Sequence, residues 1–156
     1  MDMRESLPID VTLEVRDRCL CLHMQRASRA VGRFFDDALR PLGLTNGQYS
    51  LLVSLNRPEP PRVAEVAHVL AMDRTTLTAS VKPLERRGLM RTFQDSKDKR
   101  VRRLALTDEG LDLLERAVPV WRETHDRLDS VVGSDLERLR QNLLALTFAL
   151  PDGEDE

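Results

Sequence analysis

The sequence predicts a mainly α chain with a small two-stranded β-wing. Three observations predict it. From Val63 to Gly88 two stretches with helical apolar spacing flank a tight turn, Ala71-Met72-Asp73. The next stretch, to Thr107, reads as two strands around a tip rich in Lys and Arg. Both ends of the chain carry apolar residues at steps of three and four, the period of an amphipathic helix.

Each element has its own signals. From Val11 to Leu39 the apolar positions include Val15, Cys19, Leu22, Val31, Phe34 and Phe35, which predicts one long helix ended by Pro41 and Gly43. Thr45-Asn46-Gly47-Gln48 fits a capping box, in which the Thr hydroxyl and the Gln side chain satisfy free amides reciprocally. That opens a second helix running to Asn56. Arg57-Pro58-Glu59-Pro60-Pro61 is a stiff connector that cannot be helix interior. Val63–Leu70 is a short helix, and Asp73 caps the next, Arg74–Arg87, which Gly88 closes. Pro83 lies inside it and removes one amide donor, so a bend near Ala79-Ser80 is expected, not an end. Thr107 is a good N-cap for a further helix whose first turn holds Asp108 and Glu109, where negative charge suits the helix dipole. Pro119 is expected to kink or restart that helix. Ser134-Asp135-Leu136-Glu137 reads as a second capping box, opening a last helix to Leu150. The acidic tail from Pro151 to Glu156 is expected to fray.

Charge is localised. The chain totals −2, but Asp73–Arg103 holds ten basic and four acidic residues, and Leu104 onward holds five and thirteen. A patch of +6 is what phosphate binding requires; a uniformly basic protein is not needed. No apolar run is long enough to span a bilayer and the N-terminus lacks a signal-peptide core, so a cytoplasmic protein without membrane contact is expected. No phosphate-binding glycine loop, nucleophile elbow or zinc-ligand spacing is present, so neither an enzyme nor a cofactor is expected.

One winged lobe cannot cover the apolar faces of both terminal helices. Pairing with the same helices of a second copy solves this. It also places two reading helices one turn of the duplex apart, about 34 Å. The predicted fold is therefore a winged helix-turn-helix lobe plus a helical dimerisation lobe. Residues 1–44 and 107–156 form the dimerisation region and 45–106 the DNA-binding region, with double-stranded DNA and a homodimer partner.

Leu42-Gly43-Leu44-Thr45-Asn46-Gly47-Gln48-Tyr49, Val66-Ala67 with Leu70, Asp73-Arg74-Thr75-Thr76-Leu77-Thr78, Leu84-Glu85-Arg86-Arg87-Gly88-Leu89, the wing residues Asp95, Asp98 and Arg100, and Leu106-Thr107-Asp108-Glu109-Gly110 occur in that order. In this the chain resembles the MarR family (multiple-antibiotic-resistance regulators) of winged helix-turn-helix transcription regulators. The resemblance covers Cys19 to Gly110 well and the C-terminal helices by pattern. It implies homodimers on pseudo-palindromic operators, mostly repression, and release by a small molecule or by oxidation.

Leu77, Val81 and Leu84 fall at i, i+4 and i+7 and should face the core. Arg74, Thr75, Thr76, Thr78 and Lys82 then remain for DNA, with Arg86 near the end of the helix. The simpler reading of the threonines is helix-start and packing residues. Asp98 and Arg100 match the family's wing motif, in which an acidic residue orients an arginine for the minor groove. Lys97 and Lys99, like Arg102 and Arg103, are phosphate contacts or solvated charges. By the resemblance a small aromatic-acid-like effector would bind beside His23, Met24, Arg26, Tyr49, Val53 and Trp121; plain packing is the alternative. Cys21 falls where the family's peroxide sensors place a reactive cysteine, but Gln25 and Phe35 stand where those sensors place tyrosines. A buried apolar role for Cys21 is the alternative. On one continuous helix Cys19 and Cys21 point about 200° apart and cannot bridge. The expectation is therefore ligand control, with thiol control by Cys21 or no effector at all as the alternatives.

Overall fold

Residues 7–150 are described by the computed structural model. The acidic tail from Pro151 lies outside them. The single N-terminal helix expected from periodicity is two helices, α1 (Ile9–Arg18) and α2 (Leu20–Leu39). Cys19 between them is extended, with φ −71° and ψ 104°, and its sulfur accepts the Leu22 amide at 3.4 Å. A thiol is a weak acceptor and no usual N-cap residue marks the break, so periodicity runs through it unbroken.

After a 3₁₀ turn at Arg40–Leu42, α3 spans Asn46–Ser54. Its capping box is formed: Gln48 N donates to Thr45 Oγ1 at 3.2 Å, and Thr45 N to Gln48 Oε1 at 3.1 Å. Helix α4 (Val63–Val69) begins where Arg62 N donates to the Glu65 carboxylate at 2.6 Å. Helix α5 (Arg74–Arg86) is capped by Asp73, which accepts the Thr76 amide at 2.7 Å. Strands β1 (Met90–Gln94) and β2 (Arg102–Leu106) pair antiparallel, with Met90 opposite Leu106 and Gln94 opposite Arg102. Helix α6 (Asp108–Val132) is capped by Thr107 and runs unbroken past Pro119, as α5 does past Pro83. A proline costs one amide bond, and flanking turns packed on a core hold such a helix together.

Helix α7 (Leu136–Ala149) follows a 3₁₀ turn at Gly133–Asp135. The second capping box is not formed. Ser134 and Asp135 are taken up in the 3₁₀ turn, and Glu137 turns instead to Arg140 and Gln141, at 3.0 and 3.2 Å.

One core joins these elements. Leu39, Leu51, Leu52, Val66, Leu77, Leu84 and Leu104 are almost fully buried, with Leu113, Leu114 and Ala117 of α6 packed on them. The winged lobe thus shares its core with the end of α2 and the start of α6. Helices α1 and α7 bury no residue at all.

Candidate nucleic-acid interface

Helix α5 presents two faces. Leu77, Val81 and Leu84 are buried as their spacing requires, while Arg74, Thr75, Thr76, Thr78, Ala79, Lys82 and Arg86 are exposed. The Thr76 hydroxyl donates to Asp73 Oδ2 at 2.6 Å and the Thr78 hydroxyl to Arg74 O at 2.8 Å. Each hydroxyl therefore helps hold the helix start and still offers lone pairs outward. Hydrogen bonds from the Thr76 hydroxyl and amide pull the Asp73 carboxyl below its usual range, so the cap is ionised at neutral pH.

The turn before α5 holds Ala71 at φ +50°, a left-handed position that costs a residue with a Cβ. The α5–β1 junction is tied by Glu85, whose carboxylate accepts the Thr92 amide at 2.7 Å. Arg87 Nη1 donates to Gly43 O at 2.8 Å, fixing the end of α5 to the start of the α3 region.

The wing is organised by a buried carboxylate. Asp95 Oδ1 accepts the amides of Lys97 and Asp98 at 2.8 and 3.0 Å, and Oδ2 accepts Arg103 Nε. The Arg103 guanidinium, then those two amides, hold the Asp95 carboxyl well below the ordinary carboxylate range. Arg103 also donates to Pro60 O at 2.6 Å, and Leu104 N donates to Pro61 O at 3.0 Å. Arg62 forms an isolated antiparallel bridge to Arg103, so the end of the connector is tied to the two-stranded wing at one point. Arg103 is therefore a half-buried structural cation, which corrects its placing among phosphate contacts or solvated charges. Prolines favour extended backbone at and before them, which suits Pro58-Glu59-Pro60-Pro61 to lead into that bridge.

At the tip, Asp98 Oδ1 accepts from the Arg100 amide at 3.0 Å and from Arg100 Nε at 3.3 Å. Lys97, Lys99 and Arg100 are exposed. Between α5 and the wing lies an open cleft of about 660 Å³. Arg62, Arg74, Lys82, Arg100 and Arg102 line it, against one carboxylate, Glu85. Five cations around one cleft make a surface suited to a polyanion.

The residues expected at an effector site fall into two groups. Buried Tyr49 stacks on Trp121, centroids 6.2 Å apart and planes 18° apart. Burial pushes the Tyr49 hydroxyl upward, against a smaller opposing effect of Arg122. His125 and Phe35 extend the same aromatic cluster; neither was expected at an effector site, although His125 follows Trp121 by one helical turn. His23 and Arg26 instead line an exposed cleft of about 680 Å³ with Arg29 and Arg33. Met24 and Val53 are exposed.

Cys21 is exposed and accepts a hydrogen bond from Gln25 Nε2 at 3.3 Å; Cys19 is partly buried. The chain's own fold does not give Cys21 the buried apolar role. Cys19 also lies outside both helices, so the 200° separation argued for one continuous helix does not hold for this pair.

Among the described residues no helix is long and apolar enough to cross a membrane, and no group of His, Cys, Asp and Glu could hold a metal.

Residues 44–101 match the MarR family. The organic hydroperoxide resistance transcriptional regulator of Bacillus subtilis (strain 168) is 31% identical over 131 residues, 84% of this chain and 88% of the relative. The crystal structure of the M. tuberculosis transcriptional regulator MosR in complex with DNA has a TM-score of 0.77 at 36% identity, covering 85% of this chain and 96% of that one. CouR from Rhodococcus jostii RHA1, bound to p-coumaroyl-CoA, has a TM-score of 0.71 at 25% identity, covering 83% and 92%.

Proposed function

The chain belongs to the MarR family of DNA-binding transcriptional regulators, and from that premise we propose a homodimeric repressor that binds a pseudo-palindromic operator and is released by a small organic effector. Residues 45–106 read DNA in this proposal, and 1–44 with 107–156 pair the two copies, while their inner ends also pack the winged core. The observation that carries it is the division of the surface. Cations gather in the cleft between α5 and the wing, whereas α1 and α7 leave Ile9, Val15, Leu144 and Phe148 exposed. Apolar faces of this kind mark a protein interface, and a two-fold dimer presents two reading helices to a two-fold site.

On this reading Arg74, Thr75, Thr76, Thr78, Lys82 and Arg86 meet the major groove and its edges. Lys97 and Lys99 meet phosphate, and Arg100, oriented by Asp98, enters the minor groove. The effector is an aromatic acid or its thioester. CouR's p-coumaroyl-CoA supports that class, as does the stacked pair of Tyr49 and Trp121, with Arg26 in a separate cleft on α2 as a partner for a carboxylate or phosphate. The test is a thermal-shift screen with phenolic acids and acyl thioesters, followed by operator titration. A ligand of the native state raises the melting temperature, and the same ligand should release DNA. A hit that stabilises the protein and leaves operator affinity unchanged sinks effector control.

A second reading is favoured by two observations. Cys19 sits at the break between α1 and α2 with the exposed Cys21 two residues on, and the Bacillus subtilis relative is an organic hydroperoxide resistance regulator. A Cys19→Ser/Cys21→Ser variant decides between them. If the parent leaves DNA on treatment with organic hydroperoxide and the variant does not, thiol control replaces ligand control.

A further inference from the structure

We propose that Arg62 and Arg102 are phosphate contacts that hold one DNA strand along the cleft between the wing and α5, and that the adjacent Arg103 takes no part in that contact. The inference rests on the DNA-reading function proposed above; it adds one residue, Arg62, from outside both reading elements, and separates Arg102 from Arg103 within the wing.

The cleft receives cations from three separate stretches of chain: Arg62 from the connector, Arg74 and Lys82 from α5, Arg100 and Arg102 from the wing. Among the described residues, Arg62, Arg74, Lys82 and Arg102 form no ion pair. The one carboxylate in the lining, Glu85, is turned to the Thr92 amide. Like charges gathered this way repel unless a polyanion joins them.

Arg62 is brought there by the backbone. Its own strand bridge to Arg103, with the hydrogen bond from Leu104 N to Pro61 O, seats the connector on the wing. Its amide is held by Glu65. The guanidinium is therefore the only free part of the residue, and it starts from a fixed point on the cleft rim. Strand alternation sorts the two neighbouring arginines of β2. Arg102 and Leu104 line the cleft, and Arg103 between them turns away to Asp95 and Pro60. A merely solvated cation on a loop would need none of this anchoring.

Phosphate contacts carry no sequence information and release counterions. Full-length Arg62→Gln and Arg102→Gln should thus weaken binding to a random-sequence duplex and to an operator by the same factor. Each should lower the slope of log K against log salt by about 0.9, so that the ratio of affinities at about 50 and 200 mM salt shrinks by about 3.5-fold. Arg62→Lys keeps the charge and should restore the slope. Both Gln variants keep the backbone amide, so their melting temperatures should match the parent, whereas Arg103→Gln should melt earlier. A parental slope in Arg62→Gln, with the parent binding DNA normally, overturns the inference alone. A parent that binds no duplex at low salt overturns the DNA reading and the inference with it.

Discussion

Asp95 shows how one side chain sets the shape of the wing. It gathers two amides of the wing tip and the Arg103 guanidinium, and Arg103 in turn reaches the connector. Because the folded-state carboxyl is depressed, its contribution to stability is complete above the ordinary Asp value, about 3.9. It is lost as pH falls from there toward the lower folded value. The wing should therefore hold its shape through the neutral range and loosen only below about pH 4. Asp95→Asn should loosen it at every pH. Hydrogen exchange at the Lys97 and Asp98 amides measures both effects, and unchanged protection in Asp95→Asn would remove Asp95 from this role. On α5, Arg74→Ala and Thr76→Ala should each shift sequence preference by about 1–3 kcal/mol if a base contact is lost. Equal losses on operator and random DNA would assign Arg74 to the backbone. Thr76→Ala also removes a hydroxyl from the Asp73 cap, so its thermal melt must be read beside its binding.

At the scale of elements, Gly110 of α6 packs directly on the backbone of Leu89, the residue before β1. A Cβ on Gly110 would lie 1.9 Å from Leu89 O. A helical Gly→Ala change normally stabilises. Here the sign should reverse, and Gly110→Ala should destabilise by about 1–3 kcal/mol, because α6 must move off the strand to make room. Chemical denaturation measures it, and a gain in stability would show that the junction yields freely. Helix α6 carries that junction directly into the aromatic cluster of Trp121 and His125.

At the scale of the whole molecule, the apolar surface of α7 is out of keeping with a lone chain. Leu144 is 60% exposed and Phe148 50%, although the Phe148 ring lies 5.1 Å from that of His68 on α4. If α7 pairs two copies, Leu144→Asp should shift the protein from dimer to monomer in sedimentation at micromolar concentration, since a carboxylate cannot be buried unpaired in an apolar seam. The lobe's own core does not include α7, so its melting should change little. A parent that sediments as a stable monomer removes the dimer from the proposal.

Much of this was legible in the chain as written, because local physics decides it. The buried triplet Leu77, Val81 and Leu84, the caps at Thr45, Asp73 and Thr107, and the basic tip of the wing each depend on residues a few positions apart. Spacing therefore reports them directly. The break at Cys19, the unformed box at Ser134, the bridge at Arg62 and the turning of Arg103 to Asp95 were not legible in that way. In each case competing partners decided the outcome, and for Arg62 and Arg103 those partners lie about forty residues apart in sequence. Two adjacent arginines carry the same charge in sequence. Folding distinguishes them: strand alternation and a buried carboxylate give Arg103 an internal partner and leave Arg102 facing the cleft.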